Sequence, residues 1–247
     1  MENFPNPPIQ EAILDIFVSV PGETTLEKLK GIGLSYESRF PVKEERVKLL
    51  SGFQFKPTGE TSTTTSRQVA GYLFRSLPAD AKAFQVRLDG FSFNKLRLYD
   101  GWTKFSTEAK EIWLKYRSAA NPTLVNRLSL RYINRIEIPL PIRDFADYCP
   151  LFPNIPAKLP QKLISFLMSY SMPLENPPNA IANIILTFEP PLPGKPVLPL
   201  ILDIGVSVPF GAPDNEEGIW STFDSMRESK NQIFQSSLTE EALKLFR

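Results

Sequence analysis

Arg127, Arg131 and Arg135 recur every four residues in a stretch that alternates apolar and polar side chains. On an extended strand all three point to the same side. Guanidiniums aligned in this way can hold phosphates or a partner's carboxylates bidentately. Arg87, Lys95 and Arg97 lie in a neighbouring hairpin region and would widen such a basic face. The alternative is a solvated face on which these arginines pair across strands with Asp15, Asp203 and Glu137. A formal net charge of only +1 weighs toward that alternative. Phe91 and Phe93, beside Arg87 and Arg131, could stack bases as sheet-surface aromatics do in single-strand RNA readers, or could be core. No matching pair of aromatic-rich RNA-binding signatures accompanies them. Asn134 interrupts the apolar face of its strand and needs a partner there, either a ligand or the Asp89-Gly90 turn. The candidate binding residues are therefore Arg87, Arg97, Arg127, Arg131, Asn134 and Arg135.

A second constellation comes from a repeat. Ile13-Leu14-Asp15-Ile16-Phe17-Val18-Ser19-Val20-Pro21 returns as Ile201-Leu202-Asp203-Ile204-Gly205-Val206-Ser207-Val208-Pro209, with Phe17 against Gly205 as the single difference. Asp15 and Asp203 thus occupy equivalent positions. If the two copies are related by a pseudo-twofold, paired carboxylates could do acid/base work or hold Mg²⁺, and otherwise they are exposed-face charges. The chain has no histidine. That removes Ser-His-Asp triads, Cys-His pairs and His-ligated zinc from the chemistry available within the chain. Neither a P-loop nor a dinucleotide glycine pattern occurs, and no cofactor is expected. Gly194-Lys195 is enclosed by prolines and reads as a loop.

The elements that must carry these residues follow from periodicity. Leu14, Ile16, Val18 and Val20 on one face, with Asp15 and Ser19 on the other, mark a strand ending at a proline. Thr24 to Glu27 reads as a capping box opening a helix through Leu26, Leu29, Ile32 and Tyr36, weakened by Gly31 and Gly33. Val47 to Phe55 reads as a strand and the Thr-rich stretch Thr58 to Ser66 as a mobile loop. Val69 to Leu77 and Phe84 to Phe93 are strand-like, with Asp89-Gly90 as a hairpin turn or bulge. Trp102, Phe105, Ala109, Ile112, Trp113 and Tyr116 form an aromatic helix stripe typical of core packing, stopped by Asn121-Pro122. Leu124 to Pro139 is a long strand, with Leu128, Leu130, Tyr132, Ile136 and Ile138 on one face and the arginines on the other.

Residues 140–160 are Pro-rich and irregular. Alternation over Ile164, Phe166, Met168, Tyr170 and Met172 predicts a strand, with Ala180 to Phe188 as its hairpin partner. After the second copy of the repeat, Asp214 and Glu217 are expected to cap a helix through Ile219, Trp220, Phe223, Met226, Ile233 and Phe234. Thr239 restarts a short terminal helix from Glu240 to Phe246. The sum is an α+β fold, about three main helices packed on one face of a large curved antiparallel sheet. A single domain over residues 1–247 is expected, with pseudo-twofold halves 1–122 and 123–247 suggested by the repeat.

Several of these stretches resemble a known family. They are Asn6-Pro7-Pro8-Ile9, Asp89-Gly90-Phe91-Ser92-Phe93-Asn94, Tyr99-Asp100-Gly101-Trp102, Leu130-Arg131-Tyr132-Ile133-Asn134-Arg135-Ile136 and Leu238-Thr239-Glu240. Together they are similar to a sporadically distributed bacterial family of unknown function, over nearly the whole chain. The resemblance implies a bacterial, soluble, single-unit protein, and it brings no reaction, cofactor or site residue. Patchy distribution in a family is compatible with accessory, toxin–antitoxin or defence-associated genes.

The totals set the remaining expectations. Proline, at 24 residues, favours strand ends and rigid loops over long helices. One cysteine, Cys149, cannot form an internal disulfide and points to a reducing cytoplasm. The N-terminus lacks the basic and apolar regions of a signal peptide, and no apolar run is long enough to span a membrane. The leading functional expectation is a non-catalytic cytoplasmic protein that docks a protein partner. A single-stranded RNA or DNA binder using the arginine-bearing strand is the first alternative. A histidine-free, Mg²⁺-dependent hydrolase or nuclease using Asp15 and Asp203 is the second. A homodimer through an edge strand stays open.

Overall fold

A computed structural model describes residues 4–55, 61–151, 153, 155–161, 163–191, 194–209 and 211–247. The strands are β1 (Ile9–Ser19), β2 (Val42–Phe55), β3 (Thr61–Arg75), β4 (Lys82–Arg87), β5 (Gly90–Leu96), β6 (Leu124–Pro139), β7 (Leu167–Pro173), β8 (Ile181–Phe188) and β9 (Val197–Val208). The helices are α1 (Leu26–Leu34), α2 (Trp102–Ala120), α3 (Glu216–Ser236) and the short α4 (Glu240–Leu243). All nine strands join one open antiparallel sheet in the order β2-β3-β4-β5-β1-β6-β9-β8-β7. The architecture is α+β, as the periodicities predict.

The chain clusters into two compact units. One takes the chain up to Ile16, Asn94–Gly101 and Val125–Arg247; the other takes Phe17–Phe93 and Trp102–Leu124. In the second unit, α2 buries Phe105, Ala109, Ile112, Trp113 and Tyr116 of the stripe read from the sequence, with Ala120 besides, while Trp102 at its start is only partly buried. Phe91 lies 6.0 Å from Trp113 and 5.9 Å from Tyr116, and Phe93 lies 5.4 Å from Phe105. The Tyr116 hydroxyl donates to the Arg87 carbonyl at 2.8 Å, which keeps a buried O–H satisfied. Asn121 ends the helix in the left-handed region at φ 48°, and its N–H returns to the Arg117 carbonyl.

In the first unit, β6 has the bounds that its alternation predicts. It pairs with β9 in a register that sets Arg131 opposite Gly205 and Ile133 opposite Asp203. Leu128, Leu130, Tyr132, Ile136 and Ile138 turn inward with Leu200, Leu202, Ile204 and Val206 of β9. Around β8, β9 and the end of β6 the core is closed by Phe145, Cys149, Phe234, Leu238, Leu243 and Phe246. The hairpin of β7 with β8 forms as expected, although β7 opens at Leu167 and leaves Ile164 outside it, 90% exposed.

Three local expectations are corrected. The N-cap of α1 is Thr25, whose side chain accepts from the Lys28 N–H; Thr24 is buried and donates to the Ala120 carbonyl at 2.9 Å instead. Two threonines in a row offer two caps, and the long-range contact of Thr24 decides between them. The N-cap of α3 is Asn215, while Asp214 accepts from the Val125 N–H at 2.7 Å. The Thr-rich stretch expected as a loop is strand β3 from Thr61 onward, and the part of that expectation at residues 58–60 lies outside the described residues. It pairs with β2 from Phe55↔Thr61 back to Val42↔Arg75. Residues 65–68 are all exposed, and a segment exposed on both faces carries no apolar alternation for the sequence to show.

Candidate functional site

The candidate arginines fall into separate arrangements. Arg131 grips Asp203 bidentately, Nε to Oδ1 at 2.8 Å and Nη2 to Oδ2 at 2.5 Å. Asp203 is 8% exposed, so this partner satisfies a carboxylate that would otherwise be buried alone. The bonds to Asp203 raise the Arg131 pKa, helped by the charges of Glu11 and Asp15. Arg135 contacts Glu137 at 2.5 Å and Glu189 at 3.2 Å. In the second unit Arg87 binds Asp89 at 3.1 Å and the Ser92 hydroxyl at 2.7 Å. Arg97 and Arg127 are exposed. The side chains of Arg131 and Arg135 are thus engaged by carboxylates on their own sheet face.

The two copies of the repeated strand flank β6, one in β1 and one in β9. At the position where they differ, Gly205 lies opposite Arg131, and a Cβ there would make only ordinary contact with the arginine stem, 3.8 Å from Cγ. In the other copy Phe17 provides a ring beneath Arg87, guanidinium to centroid 5.5 Å. Each copy therefore receives an arginine at that position, one over a bare backbone and one over an aromatic face. Between Asp15 and Asp203 stands a strand that contributes Arg131, so the positive charge next to these carboxylates is a guanidinium. Among the described residues no group of three or more histidine, cysteine, aspartate or glutamate side chains is arranged to hold a metal ion.

Phe91 and Phe93 are fully buried, which leaves no ring face for a base. Asn134 is buried too, and its Nδ2 donates to the Leu202 carbonyl at 2.9 Å and the Tyr132 carbonyl at 3.3 Å. It braces β6 against β9, not the Asp89-Gly90 turn. Asn94 donates to Glu11 at 2.7 Å, leaving its buried Oδ1 without a hydrogen bond.

The first unit also assembles a cluster that reading by motif missed. The hydroxyls of Tyr99 and Tyr132 are 2.9 Å apart and their rings meet edge to face at 5.5 Å. Burial raises Tyr99 to about 12 and Tyr132 well above the usual phenol value. The Lys230 ammonium lies 4.0 Å from the centroid of the Tyr132 ring. Lys230 is 8% exposed, and burial, with the charge of Arg227, lowers it to about 7. The signal for it was present in the helix pattern: Ile219, Phe223, Met226 and Phe234 define the inward stripe of α3, and position 230 belongs to that stripe. A lysine at a core position is the anomaly.

No protein-family model matches the chain, and no curated protein sequence is similar to it.

Proposed function

We propose that the chain is a non-catalytic cytoplasmic protein that docks a protein partner, and that the paired strands β2 and β3 are its docking arm. The observation carrying this is the extent of pairing. β4 joins β3 only over Gly71–Arg75, whereas β2 accompanies β3 out to Phe55↔Thr61. Val47–Phe55 and Thr61–Val69 therefore form a two-stranded ribbon that no third strand joins among the described residues. The register shifts between Arg46 and Val47, where the ribbon leaves the sheet, and a bulge there increases the local twist. A two-stranded ribbon is marginal in water by itself, and its stability improves when something covers a face or an edge. β2 is also the terminal strand of the sheet, so its outer backbone groups can take a partner's strand.

Charge supports a protein in preference to a nucleic acid. On β2, Lys43, Arg46 and Lys48 are offset by Glu44 and Glu45, and Arg75 is paired to Glu44 at 2.7 Å. A phosphate backbone calls for a denser excess of cations. Leu49, 71% exposed, adds apolar contact area near the ribbon's base. The lone cysteine, Cys149, is a buried thiol, which suits a reducing compartment.

The test is purification of the tagged protein from its own cells, with and without nuclease, for the full chain and for a variant in which residues 48–68 are replaced by Asn-Gly. That variant keeps the pairs Val42↔Arg75 to Arg46↔Gly71 that anchor the ribbon. The expected result is a stoichiometric, nuclease-resistant protein held by the full chain and lost from the folded variant. Nuclease-sensitive absorbance near 260 nm would replace this reading with nucleic-acid binding, and a partner retained by the variant would remove the ribbon from it.

A further inference from the structure

Several cations in the first unit are paired with carboxylates: Arg131 with Asp203, Arg135 with Glu137 and Glu189, Lys244 with Glu241 and Arg247 with Glu240. Two cations on α3 depart from this. Lys230 is buried over the Tyr132 ring, and Arg227, one turn earlier on the same side of the helix, is half-buried. Among the described residues neither has a carboxylate partner. The charge of Arg227 acts on Lys230 and on the Tyr99–Tyr132 pair. The acidic side chain whose charge reaches this cluster is Asp100, at Tyr99, and it is exposed. A ring quadrupole attracts an ammonium but brings no counter-charge, and buried charges are otherwise paired or neutralised.

We propose that Arg227 and Lys230 form a binding site for a phosphate group carried by a small ligand, with the Tyr99 and Tyr132 hydroxyl pair as its neutral polar side. The planar fork of Arg227 matches two oxygens of a tetrahedral dianion, and the ammonium of Lys230 meets a third as a point charge. The Lys230 ammonium is buried over the Tyr132 ring, and a contact made there is stronger than one made in water. Both phenols keep their protons at neutral pH, so the tyrosine pair adds no opposing charge. The Lys230 amine holds its proton only partly near pH 7, and a bound dianion holds the proton on. Binding therefore takes up a proton at Lys230, and affinity weakens by up to about tenfold for each pH unit above about 7. The site shares no residue with the β2–β3 ribbon and stands or falls apart from it.

Sulfate is the probe, because it stays a dianion throughout the range and its own titration does not intrude. Thermal unfolding of the full chain is followed in millimolar sodium sulfate against sodium chloride at matched ionic strength, between about pH 6 and about pH 9. At saturating sulfate the wild-type midpoint rises by about 5 °C at the acid end, and the gain fades toward the alkaline end. Lys230→Met, which keeps the apolar stem, loses the gain at every pH, and Arg227→Met needs at least about tenfold more sulfate to reach half the effect. No sulfate-dependent rise in the wild type overturns the proposal. So does an equal rise in Lys230→Met and Arg227→Met, which would place the effect elsewhere on the protein or in the solvent.

Discussion

Replacing Lys230 by methionine changes how stability depends on pH, and the size of the change follows from the environment of the amine. Lys230 falls from the usual 10.5 to about 7 on folding. At about 1.4 kcal/mol per unit, that difference amounts to roughly 5 kcal/mol between the protonation states. The native pKa lies below the unfolded one, so between them the unfolded chain binds a proton that the native protein does not. The contribution of Lys230 to stability therefore climbs with pH from about 7 to about 10, by up to about 1.4 kcal/mol per unit. Below that window the amine is charged in both states and the full penalty stands. Above it Tyr99, Tyr116 and Tyr132, all raised on folding, reverse the trend, because their unfolded phenols ionise first. Methionine removes the titration while retaining the unbranched stem in the stripe between Met226 and Phe234. Urea unfolding of both proteins, followed by tryptophan fluorescence in steps between about pH 6 and about pH 9.5, gives the difference curve directly. A difference that rises at close to one proton's slope supports the reasoning. Parallel curves would show that Lys230 is not desolvated in solution and would refute it.

Two further perturbations test the packing of the sheet. Arg131→Met leaves the Asp203 carboxylate without its guanidinium; because the arginine is 47% exposed, the expected cost is about 1–2 kcal/mol. Adding Asp203→Asn recovers most of that loss in a urea titration, and no recovery would mean the pair is not what stabilises the site. Phe91→Ala should cost about 3–5 kcal/mol, since the ring is fully buried against Trp113 and Tyr116. A loss below about 1 kcal/mol would return Phe91 to the surface and restore the base-stacking reading.

Local periodicity determined much of what this sequence shows by itself. The bounds of β6, the buried stripe of α2, the β7–β8 hairpin and the shared direction of Arg127, Arg131 and Arg135 all follow from spacing along one segment. Each depends only on which side of its own strand or helix a residue occupies, and a strand or helix imposes that without reference to the rest of the chain. Tertiary structure decided what faced them. Asp15 and Asp203 sit in equivalent repeats, yet the register that places Arg131 opposite Gly205 gives the bidentate bond to Asp203. The β2 arm of the ribbon, Val47 to Phe55, was legible as a strand, but the Thr-rich start of β3 was not, because it shows no apolar alternation and its identity rests on a partner strand. Lys230 sat in plain sight on the stripe of α3, but a lysine at such a position can turn outward. Only the Tyr132 ring, brought beneath it by β6, shows that the amine stays inside.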